Sequence, residues 1–243
     1  GEQVAVLSID PSSTVSKGSI LGDKTRMTAL SQQAAAFIRP SPSSNILGGV
    51  AGATRESIAL FDALGYENIL VETVGVGQSE TAVSKMTDLF ILLLLPGAGD
   101  GVQGIKRGIV EMSDLIFVNK ADQDREKMAQ ETMVAYRNAL NLFPEKTNHW
   151  KTKITTISSL EAIGFDKALA WIDDYFQSIE HSGFRANLRN SQAIEWFKEA
   201  LHQELYLRLS KSEKYKIGYH NMLNRVKKGD QAPYLAAKEL LNH

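Results

Sequence analysis

Asp114-Leu115-Ile116-Phe117-Val118-Asn119-Lys120-Ala121-Asp122 joins an apolar run of strand length to the tetrapeptide Asn-Lys-x-Asp. The residue types suit a pocket that reads guanine. The Asp122 carboxylate can accept hydrogen bonds from the ring N–H and the exocyclic amine of that base. Adenine presents a different edge and leaves the carboxylate unpaired, which is what gives a polar site its discrimination between isosteres. Asn119 would tie the base to neighbouring loops, and the stem of Lys120 would lie along the base plane. The competing reading is an ordinary strand-end turn, which Asn, Lys and Asp also form.

A second motif lies upstream. Asn68-Ile69-Leu70-Val71-Glu72-Thr73-Val74-Gly75-Val76-Gly77-Gln78 is again a β-branched, apolar run that ends in an acid, here followed by glycines. In P-loop NTPases an acid at such a strand end holds Mg²⁺, directly or through water. A glycine such as Gly75 lets the backbone N–H approach the γ-phosphate. Glu72 alone could be a solvated strand-end acid. Two such motifs in this order, with a strand between them, favour the nucleotide reading. Gln78 either orients the attacking water or caps the next helix.

No G-x-x-x-x-G-K-[ST] occurs in the sequence. That loop would cradle the phosphates and supply a lysine and a Mg²⁺ hydroxyl. The chain opens without Met on Gly1-Glu2-Gln3-Val4-Ala5-Val6-Leu7-Ser8-Ile9-Asp10, which reads as the second strand of such a domain. The expectation is a chain lacking its first strand, P-loop and first helix. A relative that has lost the loop is the alternative.

Size and composition bound the rest. The 243 residues suffice for one large domain or a domain with a helical extension. Net charge is −1, so nothing argues for nucleic acid or an anionic membrane as partner. The absence of cysteine excludes disulfides and thiolate metal sites and fits a reducing compartment. The longest apolar run, Leu89–Leu95, is far too short to span a bilayer and suggests a strand buried on both faces. The expected location is the cytoplasm, with mitochondrial targeting left open because the N-terminal part is read as absent.

Strands are expected at Val4–Ile9, Ile69–Glu72, Leu89–Leu95, Leu115–Asn119 and Ile154–Ser158. Helical patterns, including Thr54–Leu64 and Arg125–Leu142, alternate with most of them. This predicts an α/β, doubly wound, mainly parallel sheet of P-loop NTPase type, with its ligand at the carboxyl ends of the strands. Glu72, Asn119 and Ser158 fall at such ends. Ser158-Ser159-Leu160 can offer backbone N–H groups to the guanine O6, or can be a plain Ser-rich turn. Asp10 and Asp23 lie in long polar segments and, with Glu72, make a candidate oxygen-rich site for Mg²⁺. Segments through Phe37–Ser44 read as loop.

Beyond the break at Glu180–Gly183 the chain turns helical. Ala193, Trp196, Phe197, Ala200, Leu201 and Leu205 recur at helical spacing and predict a face packed on the main domain or on a second subunit. A second helix is expected through Tyr219–Val226, and Pro233 suits the start of a third at Tyr234–Leu241.

Several long stretches resemble the methylmalonyl-CoA mutase-associated GTPases, also known as the arginine/ornithine (LAO/AO) transport system kinases. They are Asp10–Thr14, Gly18–Met27, Arg39–Ser44, Val71–Glu80 and Leu92–Asp100, with Ala232-Pro233 and Ala236-Ala237 in the tail. The resemblance covers nearly the whole chain. It implies a GTPase that chaperones a B12-dependent acyl-CoA mutase, gating adenosylcobalamin delivery while binding no B12 of its own. By motif, Asp10, Asp23 and Glu72 would serve Mg²⁺, and Asn119, Lys120 and Asp122 would serve guanine. Asp10–Met27 and Thr73–Ser79 would be nucleotide-sensing switches. Pro96–Gly108, with Gln103, Lys106 and Arg107, would be a switch facing the mutase; a flexible connector with solvated cations is the plainer reading. Residues 1–180 would then be the GTPase domain without its P-loop portion, and 184–243 a helical region forming a homodimer.

Three competitors remain. A nickel-enzyme metallochaperone GTPase shares the fold class, but the chain has no cysteine and its five His are scattered. A transport-linked kinase fits the older family name, although Asn-Lys-x-Asp favours GTP over ATP. A catalytically inactive scaffold that only binds a mutase is the third.

Overall fold

The computed structural model describes residues 2–10, 27–42, 49–73, 79–97 and 107–241. Two parallel three-stranded sheets form its centre. The first contains β1 (Val4–Asp10), β2 (Ala36–Pro42) and β3 (Asn68–Thr73), in the order β2-β1-β3. The second contains β4 (Ile91–Leu94), β5 (Leu115–Val118) and β6 (Lys153–Thr156), in the order β4-β5-β6. In register, Ser8 faces Glu72, and Val118 lies between Leu94 and Thr156. All pairings are parallel, so Glu72, Asn119 and Ser158 sit at the carboxyl ends of their sheets.

The central strands have the sequences that burial on both faces demands. Leu115–Val118 is buried throughout, and Ala5, Val6, Leu7 and Ile9 of β1 are likewise inside. β2 corrects the loop expectation for Phe37–Pro42. Its prolines lack an N–H, yet among the described residues β2 is an outer strand with only β1 beside it, the place where a sheet tolerates proline. β4 corrects a second expectation. Only Ile91–Leu94 of the Leu89–Leu95 run is strand, and Leu93 is 62% exposed. β4 and β3 are each the last strand of their sheet among the described residues, so one side of each has no strand neighbour and apolar side chains such as Leu70 stay exposed.

Helices connect and cover the strands. They are α1 (Thr28–Ser31), α2 (Gly49–Ala63), α3 (Ser79–Ser84), α4 (Arg107–Met112), α5 (Glu126–Leu140) and α6 (Phe165–His181). α2 begins five residues before the expected Thr54, running through Gly52 in spite of its poor helix propensity. A Cβ at Gly52 would meet no atom within 4 Å. Gly52→Ala is therefore expected to stabilise the fold by about 0.5–1 kcal/mol. The melting temperature should rise by about 1–4 °C, and a lower one would show that the helix needs the glycine.

Side chains of β5 and β6 divide between two clusters. Leu115 and Phe117 pack with Trp150, Tyr175 and Ile179 on one side. Ile116, Val118 and Ile154 pack with Val110, Ala129 and Tyr136 on the other. Helices thus cover both faces of the second sheet, as a doubly wound arrangement requires. Trp150 and Tyr175 meet edge to face with centroids 5.2 Å apart, a favoured aromatic geometry.

The tail is helical, as its periodicity predicts: α7 (Phe184–Lys211), α8 (Glu213–Lys228) and α9 (Pro233–Leu241). Gly183 breaks α6 from α7 at φ +69°, and Gly229 ends α8 at φ +79°. Ser212 caps α8 by accepting from the Tyr215 N–H. Of the two expected coverings for the apolar face of α7, the main domain does not supply one among the described residues of this chain. Phe197 is 68% exposed, and Leu201 and Leu205 are exposed with it. Polar residues dock the helix instead. Arg189 Nη2 lies 2.6 Å from Asp88 Oδ2, and Arg185 Nε lies 3.3 Å from the same oxygen. Gln192 donates to the Thr87 carbonyl at 3.0 Å. Glu199 pairs with Arg55 of α2.

Burial pushes the Asp88 carboxyl up, but the hydrogen bond and charge of Arg189, then the charge of Arg185, outweigh this and hold it below the usual range. A carboxyl depressed in the folded state contributes stability above its unfolded pKa of about 3.9, and that contribution fades as pH falls through the folded value. Asp88→Asn should lower the melting temperature at pH 7 and change it little near pH 2. An equal loss at both pH values would show that the charge is immaterial.

Candidate functional site

Asn119 follows β5, and its backbone N–H donates to the Leu94 carbonyl at 2.8 Å. Its Oδ1 accepts from the Lys120 N–H at 2.7 Å and from the N–H and hydroxyl of Ser159, each at 3.0 Å. Asn119 thereby ties the end of β5 to the end of β4 through its backbone and to the loop after β6 through its side chain. Lys120 adopts φ +60°, in the left-handed region that a residue with a Cβ rarely enters. The Ala121 N–H reaches the Ile157 carbonyl at 3.1 Å and closes the turn onto the end of β6.

Asp122 is buried, and its Oδ2 accepts from the Ser158 hydroxyl at 2.5 Å. Ser158 is itself fully buried and its oxygen accepts from the Glu161 N–H at 3.1 Å. A carboxylate has about four lone-pair directions, so the Ser158 bond leaves Asp122 able to accept the two donors of a guanine edge. Rotation of the carboxylate would break a buried bond, so its plane is fixed before any ligand arrives. Leu160 projects outward and is exposed.

The loop that carries Ser158 has its own support, which sequence reasoning missed. Ser158 and Ile163 exchange two backbone hydrogen bonds, at 3.0 and 3.1 Å. Gly164 then turns the chain into α6 at φ +83°, where a Cβ would lie 2.8 Å from the Thr156 carbonyl oxygen. Only glycine fits both constraints. A glycine six residues after Ser158, directly before a helical pattern, was the available signal.

The other sheet carries the candidate cation residues. Glu72 lies at the end of β3, and its Oε2 is buried with no hydrogen-bond partner among the described residues. A buried carboxylate oxygen without a donor is costly, and a hard cation or its water shell is a partner that would satisfy it. Asp10 closes β1 in register with Pro42. The side chain of Asp10, and Asp23, Gly75, Gln78, Gln103 and Lys106 entirely, lie outside the described residues. Among the described residues no three His, Cys, Asp or Glu converge to hold a metal. Arg107 opens α4 on the surface with its guanidinium 5.6 Å from the Phe143 ring centroid. At the start of the same connection, the Gly97 N–H donates to Thr132 Oγ1 of α5 at 3.0 Å.

Residues 1–214 match the family described as methylmalonyl Co-A mutase-associated GTPase MeaB. The chain belongs to the MeaB family. It is 41% identical over 240 residues to the GTPase ArgK of Escherichia coli strain K12, covering 99% of this chain and 72% of ArgK. It is 40% identical over 241 residues to the mouse methylmalonic aciduria type A homolog, mitochondrial, covering 99% of this chain and 58% of that protein. A crystal structure of an LAO/AO transport system kinase superposes with a TM-score of 0.71 at 33% identity, covering all of this chain and 72% of the other. The MeaB match spans both sheets and all of α7, so the α/β fold and its helical extension are shared with relatives named as GTPases. No described helix is long and apolar enough to cross a membrane.

Proposed function

We propose that this protein is a GTP-binding and GTP-hydrolysing chaperone of a B12-dependent acyl-CoA mutase of the methylmalonyl-CoA type. It gates adenosylcobalamin loading and protects the mutase. The observation that carries this reading is the Asp122–Ser158 pair, a carboxylate oriented from behind by a buried hydroxyl at the end of a parallel strand, with Asn119 held beside it by Ser159. The MeaB membership and the mouse relative named for methylmalonic aciduria support the choice of partner.

Asn119, Lys120 and Asp122 bind the base in this reading, with backbone groups of Ser158, Ser159 and Leu160 around its O6. Gly75 approaches the γ-phosphate and Gln78 orients water. Glu72, Asp10 and Asp23 hold Mg²⁺, and the orphaned Glu72 oxygen fits that duty. Bound Mg²⁺ neutralises charge that builds on the phosphates. Gln103, Lys106 and Arg107 face the mutase. Residues 1–180 form the GTPase domain, and 184–243 form the dimerisation region, in which Phe197, Leu201 and Leu205 meet a second copy. The setting is cytoplasmic or, as the mouse relative's name suggests, mitochondrial.

GTP hydrolysis by wild type and Glu72→Ala, with and without the mutase, tests the reading. Turnover is expected to fall about 100-fold or more in the variant, and GDP affinity much less, because GDP keeps its base contacts. Equal turnover at saturating Mg²⁺ would remove Glu72 from the site. A mutase that neither binds the protein nor changes its turnover would sink the chaperone role.

A further inference from the structure

α5 begins where the base-reading tetrapeptide ends. The Asp122 carbonyl accepts from the Arg125 N–H at 3.0 Å, a single 3-10 turn follows at Gln123–Arg125, and α5 continues from Glu126. Its buried stripe is Ala129, Thr132 and Tyr136, at spacings of three and four residues. Ala129 and Tyr136 join the apolar cluster of Ile116, Val118 and Ile154. Thr132 stands between them, buried with its hydroxyl. A valine would fill the same volume without burying an oxygen, so the oxygen asks for a partner.

That partner is not on α5. Thr132 Oγ1 accepts from the Gly97 N–H at 3.0 Å. Gly97 adopts φ +77°, and a Cβ there would lie 3.1 Å from Met128 Sδ, one turn before Thr132 on the same face of α5. The chain leaving β4 therefore meets α5 at two successive turns. Met128 is exposed and flexible, and supplies contact area without direction. The Thr132 hydrogen bond supplies the direction.

The same helix reaches the other neighbour of β5. Gln130 Nε2 donates to Thr156 Oγ1, at the end of β6, at 3.3 Å. Asn119, at the end of β5, donates its N–H to the Leu94 carbonyl, and Gly97 lies three residues beyond Leu94. The exit of β4, the base-reading turn and the end of β6 thus converge on α5.

We propose that Thr132 is a positioning residue for the response to the mutase: it fixes Gly97, which opens the mutase-facing connection, onto the helix continuous with Asp122. The partner role rests on the proposed function above. Glycine resists backbone rotation little by itself. A pull on the connection is passed to α5 and the base-reading turn only while the Gly97 N–H is held.

Thr132→Val keeps the branched shape and removes the acceptor. Thr132→Ala removes it with less bulk, and Thr132→Ser retains it. Exchange of the Gly97 amide with solvent deuterium, read by NMR on the full chain without nucleotide or mutase, should quicken about tenfold in the Val and Ala variants, as for one lost hydrogen bond. The Ser variant should stay within about threefold of the parent. The Ile116 amide, inside β5, should exchange alike in all four proteins and reports an intact fold. The factor by which the mutase changes GTP turnover should fall about threefold in the Val and Ala variants and recover in Ser, while GDP affinity and unstimulated turnover stay within about twofold of the parent.

Equal Gly97 exchange in the parent and in both variants lacking the hydroxyl overturns the anchor. Faster exchange with an unchanged response to the mutase overturns the positioning role, as does an equal fall in unstimulated turnover, which a merely structural residue would cause. A parent whose turnover ignores the mutase overturns the proposed chaperone function and the partner role with it. The exchange measurement needs neither nucleotide nor partner, so it decides the anchor in every case.

Discussion

Asp122→Asn is expected to lower guanine-nucleotide affinity about 10- to 100-fold, the effect of about 1–3 kcal/mol from lost charge-assisted hydrogen bonds in a buried site. The same change should raise affinity for xanthine nucleotides. Xanthine carries an oxygen where guanine has its exocyclic amine, and an amide can donate to that oxygen where a carboxylate would repel it. The structure sharpens the expectation, because the Ser158 hydroxyl already fixes one carboxylate oxygen at 2.5 Å. The asparagine amide oxygen can accept the Ser158 bond and direct its NH₂ toward the base. Competition binding with GDP and xanthosine diphosphate reads both effects. Unchanged GDP affinity would show that Asp122 does not contact the base.

Ser158 separates orientation from contact. It does not need to touch the base to matter, since its removal frees the carboxylate to rotate. Its effect should therefore be smaller than that of Asp122 and should leave the preference for guanine over xanthine in place. The same logic applies to Asn119, whose Oδ1 is engaged by Lys120 and Ser159 of two separate loops.

Much of this arrangement was legible in the residue order. β-branched apolar runs that stop at Glu72, Asn119 and Ser158 told where strands end, and parallel pairing then placed those residues at carboxyl ends. What could not be read was anything set by neighbours. Phe37–Pro42 looks like loop because prolines forbid a central strand, yet an outer strand needs donors on one side only. Leu89–Leu95 looks like a strand buried on both faces, yet burial depends on what lies beside β4. The tail was legible in part for a related reason. Phe197, Leu201 and Leu205 form an apolar stripe, and periodicity alone does not say whether the main domain or a second subunit covers it. The docking residues Arg185, Arg189, Gln192 and Glu199 recur with equal regularity, but a polar stripe acquires meaning only once Asp88 and Arg55 are seen opposite it. Gly164 stood in the sequence as a signal before a helical pattern, but why it must be glycine shows only once the Thr156 carbonyl lies where a Cβ would go.

Asp114→Ala is expected to cost about 3–5 kcal/mol of stability, as for removal of one partner from a largely buried ion pair. Asp114 stands just before β5, at the end of the second sheet opposite Asn119. Its Oδ2 accepts from the Phe90 N–H at 3.0 Å, fixing the approach to β4. Its Oδ1 lies 2.8 Å from Lys146 Nζ, which also donates to the Ser113 carbonyl at 2.6 Å and the Met112 carbonyl at 3.3 Å. The backbone carbonyl of Asp114 accepts from Trp150 Nε1 at 3.0 Å. Loss of the carboxylate strands the ammonium group among carbonyls and leaves the Phe90 N–H without its acceptor. Lys146→Met in the same chain should recover part of the loss, because the stranded charge is then gone and the replacement side chain is apolar and of similar length. Urea unfolding of the two single variants and the double variant measures this as a cycle. Additive losses would show that Asp114 and Lys146 act separately, and that the Phe90 contact alone accounts for the cost of removing Asp114.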